Sequence, residues 1–385
     1  MSAPQRYVAH LDLDSFFVSV ALLNNPDLKG LPVIVGGSKE RGVVTTCSYE
    51  ARAFGVRSAM PMQKAMQLCP QAILVQGTRG EYSRYSRWVT DIIAAQAPLF
   101  EKASIDEFYI DLTGMDKFFD PLQWTMNLRS RIQTETGLPI SFGMASNKLV
   151  AKIATDQAKP NGYLYVPPGQ EKSFLAPLSV KTFGGVGEQT FLKLQAMGIQ
   201  TIQQVSDTPL AILEKHLGKQ GPELWRKAQG ISESPVAPYH VAKSVSAETT
   251  FEQASADPLF LQEQLVRLLE KAAFELRKDK QLAGCVAVKI RYTNFDTQTK
   301  QVSMDYTRRD DEILPLAQDL LHSLHQPGKP LRLLGIRLSE LTHHVVQASL
   351  FDEGKKKDAL YAAVDAVKNK YGKQALQKAR TLPKK

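Results

Sequence analysis

Apolar and polar positions follow two different periods in the first 170 residues. Three short apolar runs are typical of buried strands, namely residues 6–13, 31–36 and 138–144. In three other segments apolar residues recur every three or four positions, as in amphipathic helices, namely residues 61–69, 81–93 and 148–157. Because strands and helices are mixed without strict alternation, the pattern predicts an α+β fold.

The pattern changes twice further along the chain. Residues 171–235 are predicted to be helical throughout. Beyond them the pattern predicts strands at 244–252, 285–292, 301–307 and 331–338, with helices at 257–280 and 312–325. This βαββαβ order is typical of one antiparallel sheet covered by two helices.

One strand of this sheet separates apolar from basic residues. Val286, Val288 and Ile290 point to one side, whereas Lys289 and Arg291 point to the other. A basic, open sheet face could lie along a phosphate backbone. The same pattern would also arise on a sheet face that only contacts water, so both interpretations stay open.

Composition limits the class of protein. Of 385 residues, 43% are hydrophobic, which is ordinary for globular cores. We expect no membrane span and no signal peptide, because no long apolar run is present. The 3 cysteines are far apart and form no CxxC pattern, which favours reduced thiols in a cytoplasm. The net charge is +9, and much of the excess lies in residues 342–385.

The stretch SIDEFYIDL, residues 104–112, has the pattern of a strand, yet Asp106 and Glu107 stand side by side near its start. Neighbouring strand residues point to opposite faces, so both acids can reach one point only at a strand end or turn. Asp12 ends another apolar strand. A divalent cation would offset the repulsion of such acids and the cost of burying them. Ordinary exposed acids at strand ends remain the alternative.

Four segments in this order make the chain recognisable: AHLDLDSFFVSV, TTCSYEARAFGVRSAMP, ASIDEFYIDLTG and SFGMASNKLVAKIATDQAKPNG. With them the chain resembles the Y-family of DNA polymerases, and most closely the bacterial DNA polymerase IV branch, which copies past damaged bases. The resemblance extends over nearly the whole chain.

The resemblance implies a right-hand polymerase with a palm, fingers, a helical thumb and a βαββαβ little finger. The implied boundaries are a catalytic palm at 1–14 and 76–170, fingers at 15–75, a thumb with a helix-hairpin-helix at 171–235, a linker at 236–243, a little finger at 244–341 and a C-terminal tail at 342–385.

The resemblance also implies the site residues. Asp12, Asp106, Glu107 and the backbone carbonyl of Leu13 match the ligands of two Mg²⁺ ions, with Glu107 as the catalytic carboxylate beside the primer 3′ hydroxyl. Contacts to the triphosphate are implied for Thr46, Tyr49, Arg52 and Lys159. Phe17 matches an aromatic steric gate that excludes ribonucleotides, although a Phe16-Phe17 pair at a helix start could also be core. Structural roles are expected for Asp14 and Asp111.

Two further motifs concern partners. Gly185 and Gly187 precede a helix and fit the DNA-backbone grip of a helix-hairpin-helix, although a plain helical hairpin has the same short pattern. Gln347, Leu350 and Phe351 resemble the peptide with which bacterial polymerases dock on the sliding clamp; packing of that peptide onto the body is the alternative.

An amphipathic helix is predicted after this motif, from the spacing of Leu360, Val364, Val367 and Tyr371, and the sequence does not name its partner.

The predicted function is template-directed, error-prone DNA synthesis past damaged bases, with primer–template DNA and dNTPs as substrates and without proofreading. We expect a monomer in the bacterial cytoplasm, associated with the nucleoid while it works. Two alternatives are a catalytically silent polymerase-like scaffold and a non-enzymatic DNA-binding protein that uses only the helix-hairpin-helix.

Overall fold

A computed structural model describes residues 5–77, 79–238, 241–343, 354–372 and 375–376. The chain divides into two compact units, Met1–His240 and Val241–Lys385. Within the described ranges, no helix is long and apolar enough to cross a membrane. Cys47, Cys69 and Cys285 are buried free thiols.

Among its described residues the first unit contains eight strands: β1 (Val8–Leu13), β2 (Val33–Gly36), β3 (Val44–Cys47), β4 (Ile73–Val75), β5 (Phe100–Lys102), β6 (Glu107–Asp111), β7 (Ile140–Ala145) and β8 (Tyr163–Tyr165). Five of them form the central sheet in the order β5-β6-β1-β7-β8, antiparallel except for the β7–β8 pair. The other three form a small sheet in the order β3-β2-β4.

The first unit contains eleven α-helices in its described residues: α1 (Phe16–Asn24), α2 (Tyr49–Ala53), α3 (Met62–Leu68), α4 (Arg79–Ala94), α5 (Pro121–Thr136), α6 (Lys148–Ala158), α7 (Glu171–Leu175), α8 (Glu188–Ala196), α9 (Ile202–Asp207), α10 (Leu210–Leu217) and α11 (Gln220–Ala228). The last five lie within residues 171–228, which confirms the predicted helical region there, whereas residues 229–235, also predicted to be helical, contain no helix. Asp120 caps α5 by accepting hydrogen bonds from the amides of Leu122 and Gln123.

The central sheet is covered on both faces. One core joins side chains such as Leu11, Phe108 and Phe142 with apolar residues of α1, α4 and α5. On the other face, Val8 and Tyr109 belong to a second core that includes residues of α6 and of the helical region after it. The alternation along β1 therefore turns His10 and Asp12 towards the face of α6.

Residues 104–106 differ from the prediction. The strand was expected over 104–112, but β6 begins only at Glu107. The reason is local hydrogen bonding, because the Ser104 hydroxyl accepts from the amides of Asp106 and Glu107 at 3.2 and 3.0 Å. These bonds form a turn in place of ladder pairing, which leaves Asp106 in the hairpin between β5 and β6.

The second unit has the predicted βαββαβ order: β9 (Ser244–Ser255), α12 (Pro258–Lys278), β10 (Leu282–Tyr292), β11 (Thr297–Thr307), α13 (Asp310–Leu324) and β12 (Leu331–Thr342), followed by α14 (Gly354–Tyr371). The antiparallel sheet has the order β11-β10-β12-β9. Val286, Val288 and Ile290 face the helices, as predicted.

Candidate active site

The two strand-end acids of the central sheet lie directly opposite each other. In the antiparallel register of β1 and β6, Asp12 pairs with Glu107, and the amide of Leu13 donates to the carbonyl of Asp106 at 3.1 Å. Like charges at directly opposed positions destabilise a sheet. The fold thus brings Asp12, Asp106 and Glu107 to one end of adjacent strands, where their repulsion requires a counter-charge.

Asp106 is oriented by its own turn. The Ser104 hydroxyl donates to Asp106 Oδ1 at 2.5 Å while it accepts from the amides of Asp106 and Glu107. Asp106 lies in the turn before β6, so its side chain does not have to point to the opposite face from Glu107. The turn therefore allows these two neighbouring acids to approach the same point.

Lysines from α6 and its C-terminal end supply the counter-charge. Lys159 Nζ lies 2.6 Å from Asp12 Oδ2, and Lys152 Nζ lies 2.5 Å from Glu107 Oε1. The Lys159 contact involves a residue that was predicted to bind triphosphate. Lys152 was not predicted as part of the site.

Burial dominates the electrostatics of Asp12. It raises the pKa of this carboxyl to about 7, against the lowering effect of Lys159, with Glu107 and Asp106 raising it further. Beside it, burial lowers the pKa of His10 well below the usual value, and Lys152 adds to that effect. His10 therefore stays neutral, and its buried Nε2 has no hydrogen-bond partner in the described structure.

The donor set fits a hard divalent cation. Carboxylate oxygens are the ligands that Mg²⁺ prefers, and the raised pKa of Asp12 marks a carboxylate that the lysine does not fully compensate. Within the described ranges, however, no group of three or more His, Cys, Asp or Glu side chains is drawn together closely enough to hold a metal ion. The carboxylates are paired with lysines instead.

The turn that carries Lys159 is anchored to the sheet. The Asn161 amide donates to Asp14 Oδ2 at 2.7 Å, and the Ser141 hydroxyl donates to the same carboxylate. Arg129 donates to the Asn161 carbonyl at 2.6 Å. These bonds hold Asn161 at a φ of 51°. Asp14 therefore has a structural role, as expected, and Asp111 likewise accepts from the amide of Thr113 at 2.9 Å.

The other predicted triphosphate residues lie on β3 and α2. Thr46 is buried in β3, and Arg52 Nη2 donates to Ser15 Oγ at 3.1 Å while its guanidinium covers the Tyr49 ring at 4.6 Å. Burial raises the pKa of Tyr49 to about 12, with Asp14 adding to the effect, so the hydroxyl remains a donor at neutral pH. Ser15 has a φ of 44°, which turns the chain sharply from β1 into α1.

The adjacent phenylalanines at the start of α1 differ in environment. Phe16 is buried, whereas Phe17 is only partly buried. Tyr82 contacts the edge of the Phe17 ring, with a centroid distance of 4.6 Å. Phe17 therefore keeps part of its ring accessible at the end of the strand that carries Asp12.

The predicted partner motifs have different outcomes. Gly185 and Gly187 are exposed immediately before α8, and the φ of 94° at Gly185 favours glycine. Gln347, Leu350 and Phe351 lie outside the described residues. In the second unit the open sheet face carries Lys289, which contacts Glu248 at 2.9 Å.

Comparison with known proteins identifies the family. The chain matches the impB/mucB/samB family at residues 11–156, its C-terminal domain at 242–350, and the thumb domain of DNA polymerase-iota at 181–232. It is similar to the DNA polymerase IV of Dehalococcoides mccartyi, with 39% identity over 98% of this chain and 97% of the relative. The DNA polymerase IV of Desulfatibacillum aliphaticivorans is 36% identical over 97% and 96%.

Solved structures agree with this match. A Y-family DNA polymerase chimera of Dbh and Dpo4 aligns with a TM-score of 0.80 and 28% identity, over 88% of this chain and all 100% of that chain. DinB from Sulfolobus solfataricus aligns with a TM-score of 0.62 and 28% identity, over 86% and 98%. The chain belongs to the Y-family of DNA polymerases. It is a DNA-directed DNA polymerase, with the thumb and little-finger domains of that fold.

Proposed function

We propose that this polymerase copies past damaged bases by a two-metal nucleotidyl transfer without proofreading. The observation that carries the proposal is the opposition of Asp12 and Glu107 at one sheet end, with Asp106 in the turn beside them. The near-full-length similarity to proteins named DNA polymerase IV supports the same reaction.

We assign the metal-binding role to the three acids and to the backbone carbonyl of Leu13. Two bound Mg²⁺ ions would lower the pKa of the attacking primer hydroxyl and stabilise charge on the leaving phosphate. Glu107 is the catalytic carboxylate, placed beside the primer 3′ hydroxyl. Lys159 then leaves Asp12 and becomes available to the triphosphate as a point charge.

Three side chains grip the triphosphate together with Lys159. Arg52 presents a planar fork that matches phosphate oxygens in bidentate fashion. Tyr49 donates from its hydroxyl, since its pKa lies far above neutral. Thr46, on the strand before them, adds a hydroxyl. Phe17 excludes a 2′ hydroxyl, because a rigid ring against C2′ leaves that oxygen neither space nor a hydrogen bond.

Contacts to DNA read its backbone and not its sequence. The exposed amides near Gly185 and Gly187 suit phosphate oxygens. In the second unit, Lys289 and Arg291 extend from the open sheet face, which supports the backbone interpretation of that face. Such binding tolerates any template, as a polymerase requires.

We further infer that Gln347, Leu350 and Phe351 dock on a sliding clamp and that the enzyme works as a monomer on the bacterial chromosome in the cytoplasm. Leu350 and Phe351 would fill an apolar pocket while Gln347 forms a hydrogen bond. No proofreading is expected, because Asp12, Asp106 and Glu107 are assigned to synthesis and the sequence offers no further set of acids like that of an exonuclease.

Primer extension with Mg²⁺ and dNTPs, on intact and on damaged templates, tests the proposal. Wild type should extend both, and Asp106→Ala should extend neither. Asp111→Asn is the matched control, since Asp111 ends the same strand and should leave extension intact. Equal extension by wild type and Asp106→Ala, or none by either, would contradict the proposal; DNA binding without extension would favour a non-enzymatic role.

A further inference from the structure

The face of α6 that meets the central sheet carries two lysines one turn apart. Lys148 Nζ donates to both carboxylate oxygens of Glu101, at 2.8 and 2.6 Å, and Lys152 Nζ contacts Glu107 through Oε1, at 2.5 Å. The two pairs are alike in chemistry and in their helix. They differ in that only the second reaches an acid at the candidate active site.

Close packing fixes where Lys152 points. A Cβ on Gly143 of β7 would come within 2.3 Å of the Ala151 carbonyl, so the absence of a side chain there lets α6 lie close to the sheet. One turn further along the helix, the Thr155 hydroxyl donates to the His10 carbonyl at 2.9 Å and contacts His10 Nδ1 at 2.8 Å. The helix cannot rotate without breaking these contacts.

The surroundings of Glu107 are asymmetric. Lys152 contacts one carboxylate oxygen, whereas the other lies 4.0 Å from His10 Nε2. An arginine at this position would present a fork that matches both oxygens, whereas the Lys152 ammonium is a point charge placed at one of them. The second oxygen of Glu107 therefore has no strong competitor on the protein side in the described contacts.

We propose that Lys152 is a positioning residue for Glu107, holding one carboxylate oxygen so that the other is presented to the reacting centre. The inference rests on the proposed catalytic role of Glu107. A glutamate side chain has three rotatable bonds, and Asp12 directly opposite repels it. The ammonium of Lys152 offsets that repulsion and selects one rotamer.

Removing this charge has two opposite effects. The acids are left more negative, which strengthens their attraction for a divalent cation. At the same time Glu107 loses its orientation, which slows the reaction. A variant that merely damages the site would weaken both metal binding and turnover, so the opposite signs distinguish positioning from general damage.

The experiment compares Lys152→Met, Lys152→Arg and Lys148→Met as full-length proteins. Mn²⁺ binding without DNA, from the EPR signal of the free ion, should tighten about threefold to tenfold in Lys152→Met. Its kcat for dNTP insertion should fall about tenfold to a hundredfold, with KM within about twofold. Lys152→Arg keeps the charge but can bind both oxygens of Glu107, so its Mn²⁺ binding should stay within about twofold of wild type while its turnover stays low. Lys148→Met should change neither quantity, and thermal unfolding in EDTA checks that each variant folds.

Three results would overturn the inference: wild-type turnover in Lys152→Met, weaker Mn²⁺ binding in that variant, or wild-type turnover in Lys152→Arg. Glu107→Gln separates this failure from that of the proposed function. An inactive Glu107→Gln beside a fully active Lys152→Met rejects only the role of Lys152. An active Glu107→Gln rejects the catalytic role on which the inference rests.

Discussion

Carboxylates are held by lysines at the candidate active site of the first unit and by arginines at the C-terminal helix of the second unit. In the first unit, Lys159 contacts Asp12 through a single oxygen. In the second, Arg277 donates to both oxygens of Asp365 on α14, at 2.7 and 3.1 Å, and also to Asp310 at 2.6 Å.

A second arginine repeats this arrangement. Arg309 donates to both oxygens of Asp358, at 3.0 and 3.2 Å, and Tyr361 lies under Arg277 while its hydroxyl donates to Asp311 at 2.8 Å. A guanidinium matches both oxygens of a carboxylate in a fixed fork, whereas an ammonium is a compact point charge without that geometry. The second unit therefore holds α14 with bidentate ion pairs, and Asp12 and Glu107 at the site are each contacted by lysine through one oxygen.

The pKa values show the same difference. Hydrogen bonding to Arg309 lowers the pKa of Asp358. At the site, burial raises the pKa of Asp12 to about 7 although Lys159 is in contact. At Asp358 the arginine outweighs burial, whereas at Asp12 burial outweighs the lysine, so the ionised form of Asp12 would gain further stabilisation from a bound divalent cation.

The largest effect is expected from Arg277→Met, which removes the fork. Asp310 and Asp365 would keep their buried charges but lose the guanidinium between them, which should destabilise the docked α14 by about 3 kcal/mol. Hydrogen exchange of the α14 amides should rise accordingly. The control is Lys289→Met, which breaks an exposed pair with Glu248 and should change exchange little. Unchanged protection of α14 in Arg277→Met would show that the ion pairs do not hold this helix.

Alanine substitutions at the adjacent Phe17 and Phe16 should affect different quantities, namely sugar selectivity and stability. The ratio of kcat/KM for dNTP over rNTP should fall by about a hundredfold, since the ring no longer opposes the 2′ hydroxyl. Phe16→Ala, at the buried neighbour, should keep the ratio and lower the free energy of unfolding by about 3 kcal/mol. An unchanged ratio in Phe17→Ala would place the sugar selection elsewhere.

Deleting residues 347–351 should remove stimulation by the clamp without affecting catalysis at the active site. Unassisted extension of a short primer should be unchanged, because the deletion removes none of the acids or basic side chains of the site. Stimulation by the sliding clamp should be lost, about tenfold or more, since tethering acts through effective concentration. Full clamp stimulation of the deleted protein would exclude this motif as the docking peptide.

The comparison also predicts a pH dependence of opposite sign in the two units. The folded-state pKa of Asp12 lies above its ordinary value of 3.8, so the metal-free first unit should lose stability as pH rises from about 4 to about 7. Asp12→Asn should remove this slope. The pKa of Asp358 is lowered, so its contribution is present above the ordinary value and is lost as pH falls.

Thermal unfolding in EDTA across this pH range, with Asp12→Asn and Asp358→Asn as the two variants, measures both slopes. The same slope in wild type and Asp12→Asn would show that Asp12 is compensated as well as the structural acids are.

Local patterns predicted much of the fold. The βαββαβ order followed from periodicity alone. Because neighbouring strand residues point to opposite faces, a shared site for Asp106 and Glu107 predicted a strand end or turn at this position. The start of β6 was wrong by three residues, because the Ser104 hydroxyl competes with the ladder for two amides. Such a local bond does not alter the hydrophobic pattern.

Tertiary contacts account for what the sequence did not predict. Lys152 lies in a helix that was predicted, but its partner depends on which sheet face that helix covers. The amphipathic pattern of the last helix did not name its partner. In the structure α14 contacts Arg277, Arg309 and Asp311 through Asp358, Tyr361 and Asp365, and Leu360 and Tyr371 remain 61% and 67% exposed. Ion pairs of this kind have no periodic signature.

The most direct test of the central claim is single-nucleotide insertion on four primer–templates that differ only in the first unpaired template base. With Mg²⁺ as the divalent ion, wild type should prefer the matched dNTP on each template, and Asp106→Asn should insert none. Asp111→Asn should match wild type. Insertion of the same nucleotide on all four templates, or equal insertion by Asp106→Asn, would contradict a template-directed polymerase built on these acids.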